Sequence, residues 1–211
     1  REEIYASDHP MVLATKNNIA QVYASEERYG EAISLFETVI REYRENSTED
    51  SAFLATVYDN LSTAYREMER YEDAIDICTE GLNIRKDIYG KRSLDYAISL
   101  NNLALIYYEM GILNDAADIF SEALAIKKET LPEIHGQISI GYFNLGLVYD
   151  KLHRDNEALE NYRASMEIDD ELEAYEDVLL TAEYIAEIYE RNDMPEDAEA
   201  YRTLCSKDDV H

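Results

Sequence analysis

Three prolines and seven glycines in 211 residues leave little of the punctuation that a strand-rich chain needs. The prolines, at 10, 132 and 195, fall between apolar-periodic segments, where a lost backbone donor costs least, and Gly111 sits in a turn between two such segments. Cysteine is scarcer still. Cys78 and Cys205 stand 127 residues apart on helical core positions, which leaves no disulfide framework and points to a reducing, cytoplasmic compartment. Basic residues are outnumbered 19 to 46, for a formal net charge of −27. That balance argues against nucleic acid, whose binding relies on Lys and Arg neutralising phosphates, and against an anionic membrane surface. Catalytic patterns are missing as well. The four histidines, His9, His135, His153 and His211, are dispersed, with no partner at metal-ligand spacing. There is no Gly-rich phosphate loop and no nucleophile elbow, and the acidic run DDELEAYED lacks the glycine and alternating ligands of a calcium loop. No catalytic residue, metal or cofactor is expected, so the chain reads as a non-enzyme.

What is present is repetition. NNIAQVYASEERYGEAI from Asn17 returns as DNLSTAYREMERYEDAI from Asp59, NNLALIYYEMGILNDAA from Asn101, FNLGLVYDKLHRDNEAL from Phe143 and EYIAEIYERNDMPEDAE from Glu183. The tyrosines Tyr23, Tyr65, Tyr107, Tyr149 and Tyr189 and the alanines Ala32, Ala74, Ala116, Ala158 and Ala198 keep one period, 42, 42, 42 and 40 residues. A fixed period of this size marks a solenoid, whose units bury their apolar faces against neighbours. Apolar residues recur at three and four within a unit (Ile19, Val22 and Tyr23, then Ala32, Leu35, Phe36, Val39 and Ile40), with a short break near Arg28. Each unit is thus a helix hairpin, A then B, and the polar junctions NSTEDS, YGKRSLD, LPEIHGQ and LEAYED are too short for interdomain linkers. One domain is expected, with repeats at about 9–50, 51–92, 93–134, 135–176 and 177–206 and a tail at 207–211.

These residues resemble the tetratricopeptide repeat, in the 42-residue variety of kinesin light chains. The likeness rests on IRKDIYG of helix B, on DHPMVLATKNNIAQVY leading into helix A, and on the Tyr and Ala anchors of every unit. It implies an all-α, right-handed superhelical solenoid of antiparallel helix pairs, about five repeats long, that serves as an interaction scaffold. Arg1 to Tyr5 (REEIY) match RKDIY at 85–89, so residues 1–8 are expected to be the tail of a preceding helix B and the chain a fragment of a longer protein. His9 beside Pro10 resembles the family's structural His-Pro pair.

At 100° per residue, the positions nine, six, five and two before the anchor tyrosine fall at about 180°, 240°, 140° and 200° from it, on one arc of helix A. Down the repeats that arc holds Ala14, Asn17, Asn18 and Gln21, then Thr56, Asp59, Asn60 and Thr63, then Ile98, Asn101, Asn102 and Leu105, then Ile140, Phe143, Asn144 and Leu147, and last Leu180, Glu183, Tyr184 and Glu187. Such apolar residues on a solvated face expect company. Stacked A helices of the family line a concave groove, and the asparagine ladder Asn18, Asn60, Asn102 and Asn144 resembles those that hydrogen-bond an extended peptide in family members. A carboxamide offers the donors and the acceptor that a peptide backbone requires. Bracing of the neighbouring repeat is the alternative for these asparagines. The sequons at Asn46 and Asn60 are accidental on this reading, because the second would place a glycan in the groove.

Between Glu167 and Glu199 lie fourteen acids and one base, Arg191. With Asp59, Glu183 and Glu187 on the arc and no Lys or Arg, the groove is expected to prefer a basic or neutral-apolar partner peptide. That departs from kinesin light chains, whose grooves use basic residues for tryptophan-acidic cargo, although Arg66, Lys151 and Arg191 stand at the rim. Protein or peptide binding is the expected function. Self-association through exposed repeat ends, or regulation within a larger signalling protein, is the alternative, and an oligopeptide signal sensor is a further one.

Overall fold

A computed structural model of the chain describes residues 10–47 and 51–206. The expectations for Arg1 to Tyr5, His9, Thr48, the Cys205 side chain and His211 lie outside them. The described residues form α1 (Pro10–Ser25), α2 (Tyr29–Asn46), α3 (Ala52–Glu67), α4 (Tyr71–Tyr89), α5 (Leu94–Glu109), α6 (Leu113–Thr130), α7 (Gly136–Lys151), α8 (Asp155–Glu171), α9 (Tyr175–Arg191) and α10 (Pro195–Ser206), with no strand among them. The backbone falls into two compact units divided between Met110 and Gly111, the first holding α1 to α5 and the second α6 to α10.

The break near Arg28 is a recurring left-handed turn. Four places after each anchor tyrosine, Glu27, Glu69, Gly111, His153 and Asp193 all take φ between 54° and 76°. In four of the five turns, that residue's N–H donates to the carbonyl three places back. The next N–H, of Arg28, Arg70, Arg154 or Met194, donates at 2.9 Å to the carbonyl of Tyr23, Tyr65, Tyr149 or Tyr189. Together these bonds form the Schellman closure of a helix end. In three turns the arginine also lies over the tyrosine ring, 4.2 Å away at Arg28, 4.3 Å at Arg70 and 4.6 Å at Arg154. The same guanidinium pairs with Glu31, Asp73 or Glu157 in the first turn of the next helix. Only glycine adopts this conformation without a Cβ penalty. Glu69→Gly is therefore expected to stabilise the chain by about 1 kcal/mol, seen as a melting temperature about 2–4 °C higher in thermal circular dichroism.

The B-to-A junctions are built differently. Side chains cap the incoming helices: Ser51 Oγ accepts from the Leu54 N–H at 3.2 Å, Ser93 Oγ from Tyr96 at 3.2 Å, and His135 Nδ1 from Gln137 at 3.1 Å. Before α9 there is no such cap. Glu173 instead turns left-handed at φ 57°, and the Ala174 N–H reaches the Asp169 carbonyl at 2.9 Å. That tighter connection is where the fifth period loses two residues.

Within each pair, helix A and helix B interlock by size. Phe36 shares the first unit's core with Ala20, buried Cys78 lies beside Ser62, and Tyr162, fully enclosed, lies against Gly146. A Cβ on Gly146 would sit 2.5 Å from two carbons of the Tyr162 ring. Burial, with Asp59 nearby, pushes the Cys78 thiol up to about 12, so it stays protonated at neutral pH.

A helix-B register that runs Tyr43, Arg85, Lys127, Asp169 carries buried charge. Burial pulls the Lys127 amine down to about 8. In the second unit, Asp169 lies in the last turn of α8, where the helix dipole disfavours an anion, and accepts from Ser165 Oγ at 3.3 Å. Burial raises its carboxyl, and the Ser139 and Ser165 hydroxyls only partly offset this. A carboxyl with a folded pKa above its unfolded one binds its proton more tightly when folded, so it contributes stability below that range and loses it as pH rises. Asp169→Asn is therefore expected to melt higher than the parent at pH 7, with the gap closing as the pH falls towards 4.

Candidate functional site

In the first unit the arc is a network of amides and one buried ion pair. Asn17 is nearly enclosed, and its Oδ1 accepts from Asn60 Nδ2 at 3.2 Å. One repeat later Asn102 hydrogen-bonds Asp59. Asn60 and Asn102, each five before its tyrosine, thus reach back to the residue six before the preceding tyrosine. This is the bracing alternative, but it uses one polar contact of each carboxamide and holds the group in a fixed orientation. Asn18 and Gln21 are exposed, Ile98, Asn101 and Leu105 are half-buried, and Thr63 Oγ1 donates to the Asp59 carbonyl within its own helix at 3.0 Å.

Asp59 is not open to solvent as an arc residue should be. Its Oδ2 lies 2.5 Å from Arg85 Nη1, and Ser99 Oγ donates to Oδ1 at 3.1 Å and accepts from Arg85 at 2.7 Å. Burial raises the Asp59 carboxyl, while Arg85, Ser99 and Asn102 pull it back. Arg85 and Ser99 escaped the sequence reading. The one signal in the sequence was charge at a helical spacing that is otherwise apolar and small within α4, where Arg85 follows Ala74, Cys78 and Gly81.

In the second unit the same positions are apolar and aromatic. Ile140 and Leu180 are about half exposed. The Phe143 ring meets Tyr184 edge-on with centroids 5.4 Å apart, and Tyr162 lies 5.6 Å from Phe143 behind it. Leu147 packs into this cluster, and Asn144 is buried. Glu183 pairs with Arg202 at 3.3 Å, and Glu187 is exposed.

No Lys or Arg lies on the arc itself, but helix B supplies Arg85 to Asp59 and Arg202 to Glu183. The rim cations are engaged too. Arg66 pairs with Glu67 and Glu109, and Arg191 with Asp150 at 2.7 Å and Asp155 at 2.6 Å.

Two tetratricopeptide repeat models match the sequence, one over residues 11–87 and 53–129 and the other over 141–172. The chain belongs to the tetratricopeptide repeat family. Its fold is the all-α solenoid of that family, with about five helix pairs. BtubC (BKLC) from P. vanneervenii is similar at 19% identity and a TM-score of 0.83, over 95% of this chain and 82% of that one. A kinesin light chain candidate of Podosopora anserina with nearly identical TPR-like repeats matches at 19% identity and a TM-score of 0.81, over 96% and 99%. The Rap conjugation gene regulator of plasmid pLS20, in complex with the Phr* peptide, matches at 18% and 0.73, over 96% and 56%. At these identities the likeness carries the fold. No curated protein sequence matches the chain. Tetratricopeptide repeats are generally scaffolds for protein-protein interaction and typically non-enzymatic, and no helix among the described residues is long and apolar enough to cross a membrane.

Proposed function

We propose that this tetratricopeptide repeat chain captures an extended peptide segment of a partner protein on its A-helix faces. The observation that carries the reading is the oriented amide network of the first unit, in which Asn60 and Asn102 are held by Asn17 and Asp59 while Asn18 and Gln21 stand exposed. Amides grip a main chain without regard to its side chains. In the second unit Ile140, Phe143, Leu147 and Leu180 offer apolar contacts to the ligand's side chains. Because Asp59 and Glu183 are already paired, the reading favours a neutral, apolar-rich peptide in the cytoplasm over a strongly basic one. The Rap relative's peptide complex supports peptide capture by this fold.

The test is an array of ten-residue peptides differing in charge and aromatic content. Parent chain, Asn18→Ala with Asn102→Ala, and Ile140→Ser with Leu180→Ser are compared at matched helicity. Binding by the parent with at least tenfold weakening in both variants is expected. Unchanged binding in both variants, or none by the parent, overturns the proposal.

A further inference from the structure

A cavity of about 590 Å³ opens in the second unit between the end of α6, the α6–α7 junction, α7 and α8. Ile134, Ile138 and Ile168 give it an apolar wall, with Tyr142 beside them. Ile138 and Tyr142 stand eleven and seven before the anchor Tyr149, at about 20° and 340° around helix A, opposite the peptide arc. The cavity is therefore a separate site.

Its lining departs from the repeat. Ala164 stands where Glu122 and Glu80 stand one and two repeats earlier, so a long side chain is missing from the wall. Glu133 and Ile134 take the places of Lys91 and Arg92, and Glu167 that of Ala125. Where the preceding repeat has two cations and a methyl group, this one has two carboxylates and an isoleucine.

Glu133, Glu167 and Glu171 all line the cavity, and among the described residues none of the three is paired with a cation. They do not converge on a point, since no group of three His, Cys, Asp or Glu among the described residues could hold a metal ion. Negative charge spread around an apolar wall suits an extended cation. The chain itself shows which kind the wall accepts. The Lys128 ammonium, also in the lining, donates to the Tyr142 hydroxyl at 2.8 Å and lies 5.3 Å from the centroid of its ring. Tyr142 is thus a ready acceptor for an alkylammonium group, and three carboxylates against one ammonium leave the lining with two uncompensated negative charges.

We infer that this cavity binds a linear polyamine, an alkyl chain with an ammonium group at each end. The ammonium groups meet the carboxylates, and the methylenes lie along Ile134, Ile138 and Ile168. The volume falls within the range of small-molecule sites, about 300–1,000 Å³. A basic segment of a partner protein fits worse, because a stable protein interface covers about 800 Å² on each side, and here the apolar wall is a few side chains.

The probe is spermidine, titrated calorimetrically into the whole chain at about physiological salt. The variants are Glu167→Gln with Glu171→Gln, and Lys128→Met, and because all three side chains are exposed both should fold normally. Saturable binding is expected, weakened about tenfold or more by the glutamines and strengthened about threefold or more by Lys128→Met, which takes the competing ammonium off Tyr142. General attraction to a chain of net charge −27 would hardly change on losing two charges, so binding indifferent to the glutamines, like no binding, overturns the inference. Displacement by equimolar magnesium would assign the cavity to a metal ion. Binding of an acetylated Arg-Leu-Arg peptide without binding of spermidine would assign it to a protein segment. Either result overturns the polyamine.

Discussion

Asp59→Ala is expected to destabilise the chain by about 3–5 kcal/mol, read as a lower urea midpoint in circular dichroism. The loss comes from what remains behind. Arg85 is only 7% exposed, and without Asp59 its guanidinium keeps the Ser99 hydroxyl and the Asp95 carbonyl, at 2.7 and 3.3 Å, and no counter-charge. Removing both partners, as Asp59→Ala with Arg85→Met, is expected to recover most of the stability, since a buried pair costs desolvation that an apolar pair avoids. A loss below about 1 kcal/mol in the single variant would show that Arg85 finds another acceptor or water. On the proposed function, Asp59 would bear on a peptide through Asn102, which it hydrogen-bonds.

Gly146→Ala should cost about 2 kcal/mol, a melting temperature lower by about 4–8 °C, although alanine is the better helix former by about 1 kcal/mol. The added methyl would lie 2.5 Å from the Tyr162 ring, which is fully enclosed and has no space to retreat into. The first unit solves the same contact with Ser62 beside Cys78. Gly146→Ser with Tyr162→Cys should therefore lose less than the sum of its single changes, by at least about 1 kcal/mol. Additive losses would place the strain elsewhere.

The periodic parts of this fold were legible in the sequence. Tyr23 and its repeats fixed the helix pairs because their role, packing and closing a turn, recurs at one spacing. The left-handed residues obey the same spacing yet were visible only at Gly111, since the Schellman bonds are made by the main chain and tolerate Glu27, Glu69, His153 and Asp193. On the candidate site, helical angles put Asn60, Asn102 and Phe143 on the A-helix arc, but they say nothing of what the next helix brings. Arg85 comes from helix B, so Asp59's burial could not be read from helix A alone. The same limit applied to Glu183 and Arg202.

Of the five non-glycine residues with left-handed backbones among the described residues, four are acids: Glu27, Glu69, Glu173 and Asp193. Glycine would serve the backbone better at each of them, so the chain gives up conformational ease to hold negative charge at three hairpin turns and at the junction before α9. Hairpin tips are what neighbouring molecules meet first at high concentration. The turns thus act as an electrostatic fender, keeping copies of the chain apart through mutual repulsion.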